Sequence, residues 1–175
     1  MAFDDQSGQA TLTDLLIRNA SIADAPLIAD FNSAMALETE DRVLDPNLIN
    51  PGVAAVLADG NKGHYWIAER EGRPIGQIMV THEWSDWRNG FMWWIQSVYV
   101  TQDARRAGVF LGLYRHVESL AKNDSLCCGI RLYVEQDNER AQNTYLAVGM
   151  VDPGYRVMET DFRKNTDAKQ EQIYA

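Results

Sequence analysis

Apolar and polar positions change their period several times along the chain, and each change marks an element. "LLIRNA" is a short run of strand type, and "SIADAPLIADFNSAMALE" then sets apolar residues at helical spacing behind Ser21, a plausible N-cap. A second helical region surrounds "PNLINPGVAAVLAD", interrupted at Pro51 and stopped at Gly60. Two strand-like runs, "GHYWIAERE" and "RPIGQIMVTHEW", meet across Glu71 and Gly72, which predicts an antiparallel hairpin. "FMWWIQSVYV", rich in aromatic and β-branched residues, carries the strongest strand signal of the chain.

The helix that follows presents Phe110, Leu113, Val117 and Leu120 at spacings of three and four, with Glu118 and Lys122 spaced for an exposed pair. "CCGIRLYVE" reads as a strand, Asn138 to Ala147 as a short helix ending at Gly149, and "GYRVMETDF" as a final strand. The order β, α, α, β, β, β, α, β, α, β predicts an α/β (α+β) domain around a mixed sheet. Polar, aperiodic tails occupy residues 1–13 and 163–175, leaving a single domain over 14–162.

Composition narrows the function classes. The chain has 175 residues and a formal net charge of −9, which argues against a nucleic-acid partner because phosphate neutralisation needs a basic surface. The two cysteines, Cys127 and Cys128, are adjacent and offer neither a bridge nor a spaced zinc set, so no metal is expected. No basic-then-apolar leader and no apolar run of membrane length occurs, so a cytoplasmic protein without a membrane partner is expected.

The turn "TQDARRAGVF" lies between the strongest strand and the most regular helix. A helix N-terminus presents unpaired N–H groups, Ala107 and Gly108 allow close approach to the backbone, and Arg105 and Arg106 add charged donors. Together they describe a pyrophosphate cradle. Neither the P-loop nor the dinucleotide glycine pattern is present.

"SVYV" followed by "TQDARRAGVF" resembles the acetyl-CoA signature of the GCN5-related N-acetyltransferases (GNAT), with Arg105 and Gly108 at the expected places and Phe110 where a small residue is usual. A second match is "NERAQNTYLAVG", in which Asn138, Ala141, Tyr145 and Gly149 follow the family's later motif. The resemblance implies six to seven strands, about four helices and splayed fourth and fifth strands. Between those strands the pantetheine arm of acetyl-CoA would lie against the backbone of Val98, Tyr99 and Val100, with the pyrophosphate on the amides of Ala107, Gly108, Val109, Phe110 and Leu111. It further implies direct attack of an amine on the thioester, an N–H near Val98 polarising the carbonyl, and Tyr145 as the acid.

Where several amine acetyltransferases of the family carry a Glu, this chain has Gln96, which positions an amine or a water but accepts no proton. Glu83 is then a candidate base, with Glu38 and Glu40 in the segment that the fold sets over the acceptor. The acidity of 38–45 suits a small cationic amine such as a polyamine, a basic amino acid or an aminoglycoside. Trp84 and Trp94, from a cluster with Trp87 and Trp93, are expected either at the acceptor or in a homodimer contact. Two other readings stay open: a non-catalytic acyl-CoA-binding or interaction domain, and a protein or peptide N-acetyltransferase.

Overall fold

A computed structural model of the chain describes residues 14–162; the two predicted tails lie outside the described residues. The chain divides into two compact units, with the boundary after Tyr133. In the first unit one sheet of five strands runs in the order β1 (Leu15–Asn19), β2 (His64–Arg70), β3 (Arg73–Ser85), β4 (Gly90–Val100) and β5 (Cys127–Leu132). The first four strands pair antiparallel. β5 joins β4 in parallel because the chain returns through helix α3 (Val109–Asn123), the crossover that a parallel pair requires.

The predicted hairpin is present, with Arg70 opposite Arg73. Its two central residues both have positive φ, 52° at Glu71 and 74° at Gly72, which matches the right-handed twist of the flanking strands. Helix α1 (Ala25–Glu40) starts later than the sequence suggests, because Ser21 caps a separate 3-10 turn at Ile22–Asp24. Asp24 organises that turn, accepting from the Ser21 N–H and hydroxyl and from both terminal nitrogens of Arg18. The same Arg18 reaches Glu69 on β2 through Nε, at 2.8 Å. Helix α2 (Pro46–Ala58) runs through Pro51 without interruption. A proline there forfeits one backbone hydrogen bond, whereas Val53 is buried and Ile49, Val56 and Leu57 pack on the core.

Strand alternation gives the sheet two different faces. Tyr65, Ile67 and Met79 pack against Ile28, Ala29 and Val53 of α1 and α2. Trp66, between Tyr65 and Ile67, turns the other way and meets His116 of α3. A buried polar chain crosses the first of these faces: the Gln77 amide donates to Asn32 Oδ1 at 2.8 Å, and Asn32 Nδ2 donates to the Tyr65 hydroxyl at 3.1 Å. Gln77 is wholly buried and Asn32 nearly so, so each depends on the other for its hydrogen bonds.

The second unit contains α4 (Glu139–Ala147). The predicted final strand is not formed, and the described sheet has five strands rather than six to seven. Alternating apolar residues alone do not make a strand: Tyr155 and Phe162 are 80% and 95% exposed, and their backbone enters no ladder among the described residues. No helix among the described residues is long and apolar enough to cross a membrane.

Two stability predictions follow from the polar contacts. The Arg18 guanidinium pulls the Asp24 carboxyl down to about 2, so the contribution of Asp24 is complete above the ordinary carboxylate range and is lost as pH falls through about 2. Asp24→Asn should therefore lower the unfolding free energy by about 1 kcal/mol at neutral pH, and the gap to the parent should close on acidification. Urea melts at several pH values read this directly. Asn32→Leu should cost about 1–3 kcal/mol, because Gln77 and Tyr65 lose their common partner; a loss below 0.5 kcal/mol, an order-of-magnitude threshold, would contradict the role given to this chain of contacts.

Candidate active site

The site begins with one extra residue on β4. Met79 of β3 stands opposite Ser97 while Val80 stands opposite Ile95, which leaves Gln96 as a bulge. Pairing between β4 and β5 ends just there, with Ile95 opposite Leu132. From Gln96 to Val100, β4 keeps β3 on one side and has no strand on the other, which is the predicted splay of the fourth and fifth strands. Such an edge offers backbone donors and acceptors to an extended ligand.

Beside the bulge, on the α1/α2 face, lies a groove of about 410 Å³. Tyr65, Met79, Thr81, Gln96 and Ser97 come to it from the sheet, Met35 and Glu40 from α1, and Arg42 and Ile49 from the chain beyond. Gln96 is held by a 2.8 Å hydrogen bond from its amide to Thr81 Oγ1. Tyr65, deep in the same groove, is the end of the Gln77–Asn32 chain, and burial pushes its phenol up.

The carboxylates nominated from sequence separate into three environments. Glu40 lines the groove. Glu38 is not among the groove's lining residues; it accepts from the Tyr99 hydroxyl at 3.0 Å and from the Arg105 guanidinium. Arg105 holds Glu38 below the usual carboxylate range, whereas burial, reinforced by Glu38, raises the Tyr99 phenol. Arg105 also donates through Nε to the Val100 carbonyl at 2.9 Å and lies over the Tyr99 ring. Its guanidinium thus fastens the start of the turn to α1 and to the end of β4. Glu83 accepts from the Trp94 indole and sits 3.4 Å from Arg131, which itself covers the Trp94 ring.

The structure does not bring Trp84 and Trp94 together. Trp84 packs edge-on against Phe91, opposite it in register, while Trp94 stands opposite Thr81 and stacks on Tyr133. An odd separation along β4 between Phe91 and Trp94 puts the two tryptophans on different faces.

In the turn, Arg106 and Gly108 both adopt left-handed angles, with φ of 65° and 76°. The first helical hydrogen bond of α3 runs from the Gly112 N–H to the Gly108 carbonyl, so the amides of Val109, Phe110 and Leu111 precede the helix's own bonding. Phe110 is half-buried, with its ring 6.1 Å from that of Tyr114 one turn further along α3. Gly76 seats the helix start on β3: a Cβ there would lie 2.8 Å from the Tyr99 carbonyl oxygen and 3.3 Å from Val109. Val98 and Val100, flanking Tyr99, are half-buried.

In the second unit Asn138 caps α4, its side chain accepting from the Ala141 N–H at 3.0 Å. Gly149, with φ of 90°, closes the helix, and the next N–H bonds the Tyr145 carbonyl. Burial raises the Tyr145 phenol, so it keeps its proton at neutral pH.

Sequence reasoning missed Asn32, Tyr65, Gln77, Thr81 and Ser97. The signal for two of them was available: Asn32 shares a helical face with Ile28, Ala29 and Ala36, and Gln77 stands inside the apolar run "IGQIMV", so each is a polar residue at a core position. Among the described residues no group of His, Cys, Asp and Glu is arranged to hold a metal ion.

Comparison with known proteins agrees with this geometry. The family model "Acetyltransferase (GNAT) family" matches residues 29–150. A possible acetyltransferase from Clostridium difficile 630 is 41% identical over 84% of this chain and 97% of its own, with a TM-score of 0.80. A ribosomal-protein-alanine N-acetyltransferase from Brucella melitensis shares the fold at 14% identity, covering 84% of this chain and 99% of its own at a TM-score of 0.67. An aminoglycoside N-acetyltransferase in complex with CoA does so at 16% identity, covering 85% and 95% at 0.68. No curated protein matches the chain. With the bulged fourth strand, the parted fifth strand and a family model spanning most of its length, the chain belongs to the GNAT family of acetyltransferases.

Proposed function

We propose that the protein transfers an acetyl group from acetyl-CoA to the primary amine of a small cationic molecule, by direct attack with both substrates bound. The observation that carries this reading is the groove containing Glu40, which opens beside the bulge where β4 loses its outer neighbour. Among its charged walls Glu40 is set against Arg42, so the carboxylate offers an ammonium group a local partner on an otherwise largely apolar lining.

The residues present fit acetyl-CoA. The backbone of Val98 to Val100 would hold the pantetheine arm as an added strand, and the amides from Ala107 to Leu111, with exposed Arg106 beside them, would hold the pyrophosphate. When bound, it supplies an acetyl group activated as a thioester. Arg105 acts indirectly, fixing the turn through Glu38 and the Val100 carbonyl. Glu40 attracts the cationic acceptor and would take, directly or through water, the proton that the nitrogen sheds on attack, while Gln96, oriented by Thr81, receives the neutral amine as a hydrogen-bond partner. Tyr145 Oη carries the proton that the departing thiolate takes up, a role its burial favours by keeping it protonated.

Calorimetric titration with acetyl-CoA, followed by thiol release with an amine panel, tests the reading. Micromolar binding is expected, weakened in Arg105→Ala, and CoA release should depend on the added amine. Tyr145→Phe should lower kcat by about 100-fold with little change in acetyl-CoA affinity. Glu40→Gln should raise the KM for a polyamine such as spermidine and leave acetyl-CoA binding unaltered. Tight acetyl-CoA binding with no turnover across the panel would instead indicate a non-catalytic acyl-CoA-binding domain.

A further inference from the structure

The groove beside the bulge carries two opposite charges that the protein itself does not neutralise. The other face of the sheet has a cavity too, of about 480 Å³, but that one is walled mainly by rings, among them His82 and Trp93. In the groove, Glu40 and Arg42 both line the wall and both are exposed. Among the described residues neither enters an ion pair, with the other or with a third residue, whereas Arg18, Arg73, Arg105 and Arg131 are each paired with a carboxylate. The backbone that carries them is fixed all the same. Helix α1 ends in a left-handed turn at Asp41, with φ of 50°, and the Arg42 N–H returns to the Ala36 carbonyl at 3.1 Å.

A third polar feature lies deeper. The Tyr65 hydroxyl accepts from Asn32 Nδ2 at 3.1 Å and is hydrogen-bonded to Ser97 as well. Two hydroxyls bonded to each other share one of their two protons, and Asn32, which donates here, takes neither. Whichever of the pair gives its proton to the other, one proton is left to donate into the groove that both residues line. Met35, Ile49 and Met79 add apolar wall between these polar points.

The combination selects among the amines that the acetyl-transfer reading admits. Glu40 suits an ammonium group. The Arg42 guanidinium and the hydroxyl donor call for an oxygen acceptor, and for a charged one, because a guanidinium pairs with a carboxylate through two parallel hydrogen bonds. A simple anion is opposed by Glu40 and by the net charge of −9. A polyamine has no carboxylate to offer Arg42. We propose that the acceptor taken by this groove is an amino acid, whose carboxylate is held by Arg42 while its ammonium group is drawn to Glu40. That amine is acetylated only if the transfer reading holds, whereas the choice of molecule depends on the groove alone. Arg42 is then the residue that separates amino acids from polyamines, and Glu40 the residue that both would use.

Three matched pairs test this assignment, each a basic amino acid and the amine left when its carboxyl group is removed: lysine with cadaverine, ornithine with putrescine, and arginine with agmatine. The full chain, with and without saturating CoA, is titrated with each by calorimetry at neutral pH. At least one amino acid should bind about tenfold more tightly than its amine. Arg42→Gln should bring that pair to equal affinity while the melting temperature stays that of the parent, and Glu40→Gln should weaken both members. The proposal is overturned if every amine binds as tightly as its amino acid, if no ligand of the panel binds, or if Arg42→Gln melts like the parent and keeps the preference. Binding of this kind without release of CoA from acetyl-CoA would leave the ligand assignment standing and overturn the transfer reading instead.

Discussion

The extra residue at Gln96 is the constraint from which the working end of the sheet follows. A residue added to β4 but not to β3 bends the strand locally and breaks its alternation, so Gln96 leaves the ladder and faces the groove while Ser97 returns to it. β5, paired with β4 up to Ile95, does not follow the bend. One inserted position therefore makes two things together: a groove into which Gln96 turns, and a length of strand edge beside it.

A parted pair of strands is a weak point unless its margins are held. Here the margin is tied by Arg105, whose guanidinium contacts the Val100 carbonyl, Glu38 of α1 and the face of Tyr99. Gly76 has no side chain to keep Val109 away, so the start of α3 sits directly on β3 behind the same point. The turn is consequently fixed from three directions while its amides stay outside the helical bonding pattern. Arginine suits this position because its planar fork spans a carbonyl and a carboxylate at once.

Most of the first unit was legible in the sequence because local signals agree there. The Glu71–Gly72 hairpin, the strand before the turn and the amphipathic α3 are each encoded within a dozen residues. Features set by register were not legible. Whether Trp84 and Trp94 share a face depends on a loop from Asp86 to Asn89 and on pairing across it, and Glu38 and Glu40 look equivalent until the end of α1 is oriented. The final strand failed for a related reason, since the sequence of 154–162 shows alternation but cannot name the strand that would pair with it.

Alternation also explains how one sheet carries two chemically unlike cavities. On β3, Thr81 lines the groove beside the bulge and His82 the aromatic cavity, and on β4 the neighbours Trp94 and Trp93 turn to the same two faces, Trp94 against Tyr133 rather than in the groove. The cluster "FMWWIQ" therefore serves both faces, which is why it holds more aromatic residues than one face of a strand needs. Its indoles meet opposite fates: that of Trp94 donates to Glu83 near solvent, whereas those of Trp93 and Trp66 are buried with no protein acceptor.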